Sequence, residues 1–386
     1  MPAPRFYMDN YLSATNRIAR QINRNLIFNQ IRTRQPISRA DLARSSGLQR
    51  STVSLIVEEL LQERWIVEGS VGQIPRGRRP TFLNLNVQRS VLAVDIHPSQ
   101  TTLAVTDLGG TILAQRHIQL PANPARVVGA IVTAIRRKIA AHPDLRFEGI
   151  GINMPGRLDP QMEKFIFAPN VEWPIGHLKS RVEKATGLPV VVDNVANACA
   201  LSEVWYGYSD GHHDLVVVNV SEGVGTGIYA NGQLLRGAGG VAGEFGHVQM
   251  EAEGRRCGCG SHGCWETIAS NRAGMRYYAE ITGKTLASFD ELLRLVDTGD
   301  SAATRAFQQM CQALGRGIHM IALALAPHEI VVVGDITSHW NLAGPLIEQE
   351  MISHRLVKVP LLRPAHGGST ALLGTAAALI MSGKLL

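Results

Sequence analysis

The chain has 386 residues, enough for two or three domains, and its 45% hydrophobic and 18% charged content is that of a globular protein. No apolar run reaches the ~18–20 residues of a membrane span, and the N-terminus leads into polar residues rather than a signal core, so a cytoplasmic protein is expected. The net charge of +6 is unevenly placed: residues 1–85 hold thirteen Arg, no Lys and six Asp or Glu, a net of +7, which leaves the remainder near neutral.

A basic segment on a neutral body is the footprint of a nucleic-acid-binding module. Within it, residues 15–33 read as a helix with Ile18, Ile22, Leu26, Ile27 and Ile31 on its buried face. Pro36 ends that helix. Ser38 with Asp41 starts a second, Ser45-Ser46-Gly47 breaks it, and Arg50 to Gln62 forms a third with Val53, Ile56, Val57, Leu60 and Leu61 inward. Helix, glycine turn and helix in about 25 residues is the helix-turn-helix arrangement. Gln49, Arg50, Ser51, Thr52 and Ser54 then face outward, each able to hydrogen-bond a base edge or a phosphate. Two strands follow, near Trp65–Glu68 and Thr81–Leu85, and the Gly- and Pro-punctuated stretch between them carries Arg76, Arg78 and Arg79. Such a hairpin is a wing whose arginines suit a minor groove or phosphates.

From Val91 onward, hydrophobic strands alternate with helices, which predicts an α/β body with ligands at the strand C-terminal ends. Asp107-Leu-Gly-Gly-Thr111 has phosphate-loop composition but falls where a hairpin must turn, and a turn is expected. Leu215–Val220 enters the glycine-rich Gly223-Val-Gly-Thr-Gly227, a loop placed where such folds hold ligands. Glu329–Val333 is a strand after a helix over 302–325, and a last helix runs through Met381.

The densest chemistry lies between Gly243 and Glu266, where 24 residues gather three of the five cysteines. Glycines between the cysteines permit turns that aim several sulfurs at one centre. His247, Cys257, Cys259 and Cys264 make a closed four-coordinate donor set, which fits one structural Zn²⁺ rather than a catalytic one. His262, inside the loop, competes with His247 for the imidazole position. Clustered cysteines suit a metal in a reducing compartment better than disulfides.

Gly243-Glu-x-Gly-His247, Cys257-x-Cys-Gly-x-x-Gly-Cys264-x-Glu266 and Ala269-Ser270 resemble the signature of the ROK family of repressors and sugar kinases. The helix-turn-helix and Gly77-Arg-Arg-Pro80 resemble its repressor branch. The resemblance spans essentially the whole chain. It implies a winged helix-turn-helix over residues 1–85 joined to a two-lobed actin/hexokinase-like body, with residues 86–193 and 365–386 in the first lobe and 194–364 in the second. It also implies zinc on His247 and a sugar held by Gly156, Arg157, Asn170, Asn194, Glu244, His247 and Glu266.

The kinases of this family carry Asp-x-Gly-Gly-Thr at the first strand turn, where this chain has Asp95-Ile-His97-Pro98-Ser99. They carry Asn-Asp-x-Asn, with Asp as the base, where this chain has Asn194-Val195-Ala196-Asn197. Valine takes no proton, and Asp193 leaves its strand in another direction. The expectation is a non-enzymatic, sugar-responsive repressor acting on operator DNA as a homodimer or homotetramer. A sugar kinase with an attached DNA-binding domain and a repressor controlled by a protein partner are the alternatives.

Overall fold

The structure is a computed structural model and describes residues 16–71, 80–97, 100–159, 161, 163–167, 177–207, 214–351, 360–365 and 370–381. The chain divides after Arg89 into two compact units.

The first unit contains α1 (Asn16–Arg34), β1 (Ile37–Ser38), α2 (Arg39–Ser46), α3 (Arg50–Gln62), β2 (Ile66–Val71) and β3 (Thr81–Leu85). Ser38 caps α2 by accepting from the Asp41 N–H at 3.2 Å, and Gly47, with φ of 70°, closes it in the left-handed region. Val53, Ile56, Val57 and Leu60 are buried as their spacing predicts, Leu61 is half-buried, and Leu42 of α2 is buried with them. The face of α1 agrees with expectation at Ile27 and Ile31 and differs elsewhere. Ile22 is 60% exposed and Leu26 lies at the rim, while Arg24, Ile27, Phe28 and Ile31 turn inward. Arg24 is drawn in by Glu63, which it grips at 2.9 and 2.6 Å, and Phe28 stacks edge-on against Trp65 at 6.0 Å. β2 and β3 are antiparallel, and β1 pairs on the other side of β3. The Arg76, Arg78 and Arg79 wing falls outside the described residues.

The second unit is built twice on one plan. β4 (Arg89–Ile96), β5 (Gln100–Asp107) and β6 (Ile112–Gln119) form an antiparallel meander, followed by α4 (Pro124–Ala140) and β7 (Arg146–Met154). The hairpin β8 (Arg157–Leu158) and β9 (Phe165–Phe167) precedes α5 (Leu178–Thr186), β10 (Val190–Asn194) and α6 (Val195–Tyr206). The sheet order is β10-β7-β4-β5-β6. β11 (Leu215–Val220), β12 (Val224–Ala230) and β13 (Gln233–Leu234) repeat the meander. After α7 (Glu266–Ala269), α8 (Asn271–Thr282), α9 (Phe289–Asp297) and α10 (Ser301–Leu325) come β14 (Glu329–Val333), α11 (Trp340–Glu350), β15 (Leu361–Pro364) and α12 (Thr370–Met381). The second order, β13-β12-β11-β14-β15, matches the first strand for strand.

Asp107–Thr111 is a turn, as expected: the Asp107 N–H donates to Thr111 O at 3.0 Å and the Thr111 N–H donates back to Asp107 Oδ1 at 2.8 Å. The reading of Gly223–Gly227 as a loop is corrected. Only Ser221–Gly223 turns, and Val224 to Gly227 lie in β12. The reason is packing, since a Cβ on Gly227 would sit 2.2 Å from the Ala196 carbonyl oxygen, so glycine lets α6 lie close on the strand. α6 presses Val195, Cys199 and Ala200 onto the second sheet, and Leu201 meets Ala377 and Ala378 of α12. α12 in turn packs on β7 and β10 of the first sheet. The two helices are thus sandwiched between the lobes. No helix among the described residues is long and apolar enough to cross a membrane.

Candidate functional site

Both sheets end their strands at one cleft of about 420 Å³. Its walls bring together Gly156, Arg157, Asn194, Glu244, His247 and Glu266, six of the seven residues expected to meet a sugar. The seventh, Asn170, is outside the described residues. Asn194 carries a positioning role. Its Oδ1 caps α6 by accepting from the Ala196 N–H at 2.8 Å, and its Nδ2 donates to Gly156 O at 2.6 Å, which fixes the loop after β7.

Glu244 and His247 sit on a single 3-10 turn laid across β12. The turn comes so near that a Cβ on Gly246 would lie 1.9 Å from Val224 O. Thr226 Oγ1 donates to Gly243 O from below. After Cys264, Trp265 is fully buried and donates from Nε1 to Ala313 O of α10 at 2.9 Å. The cysteine loop between them is pinned by the Met250 N–H to Gly263 O (2.7 Å), the Cys257 N–H to Ser261 O (2.8 Å) and the Gly263 N–H to Arg255 O (2.8 Å).

The donor atoms of His247, Cys257, Cys259 and Cys264 all lie within 4.8 Å of one another. Zinc–sulfur bonds of about 2.3 Å and zinc–nitrogen bonds of about 2.0–2.1 Å make tetrahedral edges of about 3.8 Å between sulfurs and about 3.6 Å between sulfur and nitrogen. The observed edges are 3.7 Å for Cys259 Sγ to Cys264 Sγ and 3.5 Å for Cys257 Sγ to His247 Nδ1. These two edges match a tetrahedral dication, and the four donors lie close enough together to hold one. Burial, reinforced by the Glu266 carboxylate, holds the Cys257 thiol well above its usual pKa, an effect a bound cation reverses. His262 is not in the cluster. The second ring nitrogen of His247 faces the cleft, with Nε2 3.6 Å from Glu244 Oε2. Burial raises the Glu244 pKa, while His247 and Arg157 oppose the rise.

Val195, 5% exposed, forms part of the cleft wall. Asp193 is turned away and saturated: it accepts from Arg236 at 3.0 and 2.6 Å, from Asn197 Nδ2 at 3.1 Å and from the Asn194 N–H at 2.8 Å. At the other end of the cleft, His97 Nε2 lies 3.2 Å from Asp95 Oδ2 and its Nδ1 3.8 Å from Glu222 Oε2, bridging the lobes. Burial alone would lower the His97 pKa, but the two carboxylates outweigh it and raise it to about 10. Sequence reasoning missed this bridge and also Asn219, the polar penultimate residue of an otherwise apolar strand, which lines the cleft. In the first unit, Gln49, Arg50, Ser51 and Ser54 are exposed along the start of α3 and Thr52 is half-buried. Leu55, unforeseen, joins that face at 58% exposure.

A duplicated α/β body with a polar interlobe cleft and a histidine–cysteine cluster, preceded by a helix-turn-helix, defines a regulator-type member of the sugar-kinase-like folds. The ROK family pattern matches residues 91–382, and the chain belongs to that family. The chain is 31% identical over 344 residues to the xylose repressor of Bacillus spizizenii, covering 88% of this chain and 89% of that one. Among solved structures, a ROK family transcriptional regulator homologous to the E. coli MLC protein superposes with a TM-score of 0.79 at 28% identity, over 94% of this chain and 96% of that one. A ROK family glucokinase from Streptomyces griseus, in complex with glucose and AMPPNP, matches with a TM-score of 0.68 at 32% identity, over 76% of this chain and 100% of the kinase.

Proposed function

We infer that this chain is a sugar-responsive transcriptional repressor of carbohydrate-metabolism genes, without kinase activity. One observation carries the reading: the cleft keeps Glu244, Glu266 and His247 on its wall, yet presents Val195 beside them and locks Asp193 onto Arg236. A sugar hydroxyl has acceptors to bind it, while the position where the kinases of this family carry their base Asp holds a valine that takes no proton. The regulator noted above matches nearly the whole chain, whereas the glucokinase matches about three quarters of it, which supports assigning operator binding to the N-terminal unit.

In this account residues 1–85 are the winged helix-turn-helix. Gln49, Arg50, Ser51, Thr52 and Ser54 meet base edges, and Arg76, Arg78 and Arg79 meet the backbone or minor groove. Gly156, Arg157, Asn170, Asn194, Glu244, His247 and Glu266 hold the sugar. The metal on His247, Cys257, Cys259 and Cys264 is one structural Zn²⁺, which supplies charge and rigidity to the loop. With Nδ1 committed there, the His247 ring is held so that Nε2 addresses the ligand. A homodimer or homotetramer in the cytoplasm would place two α3 helices on half-sites. A sugar with different affinity for the two lobe arrangements would then shift DNA affinity.

The test is a thermal-shift screen of pentoses, hexoses and amino sugars, run beside ADP release from ATP and Mg²⁺ on the same sample. A saturable shift from at least one sugar, lost in Glu266→Gln, with no ADP formed, supports the reading. Sugar-dependent ADP release overturns it.

A further inference from the structure

The first lobe carries a second cavity, away from the cleft. Residues 108–143 contain no Asp or Glu but five Lys or Arg: Arg116, Arg126, Arg136, Arg137 and Lys138. The fold brings three of these to one place. β6 is the edge strand of its sheet, α4 packs beside it, and between them lies a cavity of about 460 Å³. Its lining pairs Arg116 of β6 with Arg137 and Lys138 of α4, and no lining residue is acidic. Among the described residues, Arg116, Arg137 and Lys138 form no ion pair.

Like charges facing one another without a carboxylate are unfavourable, and an anion between them relieves that cost. Lys138 registers it. Burial first, and then the like charge of Arg116, hold its pKa below the usual ammonium value. The lining is not only cationic, since Leu103, Ile118, Ala130 and Ala134 supply an apolar surface. Cavities of ~300–1,000 Å³ with apolar walls and a few convergent polar groups are the usual form of a small-molecule site. A nucleic-acid backbone would meet the cationic rim but leave the apolar surface wet.

We propose that this cavity is a second ligand site, for a small molecule joining a phosphate or carboxylate group to a compact apolar or ring body. Arg116 and Lys138 bind the anionic group, and the surface of Leu103, Ile118 and Ala134 receives the body. The site is distinct from the interlobe cleft, so its occupancy does not depend on the sugar reading.

Isothermal titration of the full chain with three probes tests it: phenyl phosphate carries both features, inorganic phosphate only the charge, and benzyl alcohol only the ring. Phenyl phosphate is expected to bind once per chain, at least tenfold tighter than either of the others. An Arg116→Gln/Lys138→Gln double variant should weaken it at least tenfold. Ala130→Leu, which fills the cavity without touching a charge, should do the same, while Glu244→Gln in the cleft should leave it unchanged. Circular dichroism melting confirms that each variant is folded. The proposal is overturned if phenyl phosphate binds no tighter than inorganic phosphate, if a folded cavity variant binds it as well as the parent does, or if Glu244→Gln abolishes binding. Exclusion of the probe because a second copy or an acidic peptide segment covers this face would overturn it equally.

Discussion

Arg236 holds Asp193 through two hydrogen bonds, Nη1 to Oδ1 at 3.0 Å and Nη2 to Oδ2 at 2.6 Å. The pair joins the loop after β13 to the C-terminal end of β10 and leaves Asp193 1% exposed. The carboxylate next to Val195 is thereby engaged in a structural ion pair. Arg236→Ala would strand a buried carboxylate, a change that costs roughly 3–5 kcal/mol for fully buried pairs. Arg236 is partly exposed, so a loss near the low end, about 3 kcal/mol, is expected from urea unfolding. The variant should gain no phosphotransfer.

The metal cluster makes a separate prediction. The purified chain should carry one zinc per copy by elemental analysis. Cys264→Ser should lower zinc content severalfold and also weaken sugar binding, because the loop that bears His247 is anchored on both sides of that sulfur. Loss of zinc with sugar affinity unchanged would separate the two roles assigned to His247.

The exposed start of α3 carries charge, hydroxyls and one leucine. Arg50→Ala should weaken binding to every DNA sequence and flatten the salt dependence by about one counterion if its contact is a phosphate. Leu55, an apolar side chain 58% exposed among hydrogen-bonding neighbours, suits the 5-methyl group of thymine. In duplexes selected by the protein from a random pool, replacing one thymine per half-site by uracil should weaken binding severalfold. In Leu55→Ala the same replacement should have no effect.

His97 gives a pH signature. Its pKa is about 10 in the fold against an ordinary 6.5, so the bridge contributes stability fully below about pH 6.5 and loses it as pH rises through 10. The groups facing it are Asp95 and Glu222, with Asp335 at longer range, and Arg272 acts on the Glu222 carboxylate. The melting-temperature difference between parent and His97→Gln should therefore be largest near pH 6 and shrink toward pH 10. A pH-independent difference would mean that the imidazole acts by packing alone.

What was legible in the sequence was local. Ser38, Asp41 and Gly47 announce a helix start and stop within ten residues, and the glycine-spaced cysteines announce their convergence within one loop. What was hidden depended on distant partners. Arg24 turns inward because Glu63 meets it, so Arg24 joins Ile27 and Ile31 on the buried face of α1 while Ile22 is left outside it. Gly225 and Gly227 have the composition of a loop, but they serve the approach of α6 to a strand. The His97–Glu222 bridge joins residues 125 positions apart, and no pattern along the chain pairs them.

A sugar in the cleft, on this reading, changes DNA affinity. Fluorescence anisotropy of a duplex selected by the protein, titrated at fixed salt with and without each sugar of the panel, tests it most directly. At least one sugar should lower DNA affinity tenfold or more, and Glu244→Gln should bind the same duplex but no longer respond. DNA affinity unmoved by every pentose, hexose and amino sugar would contradict the account.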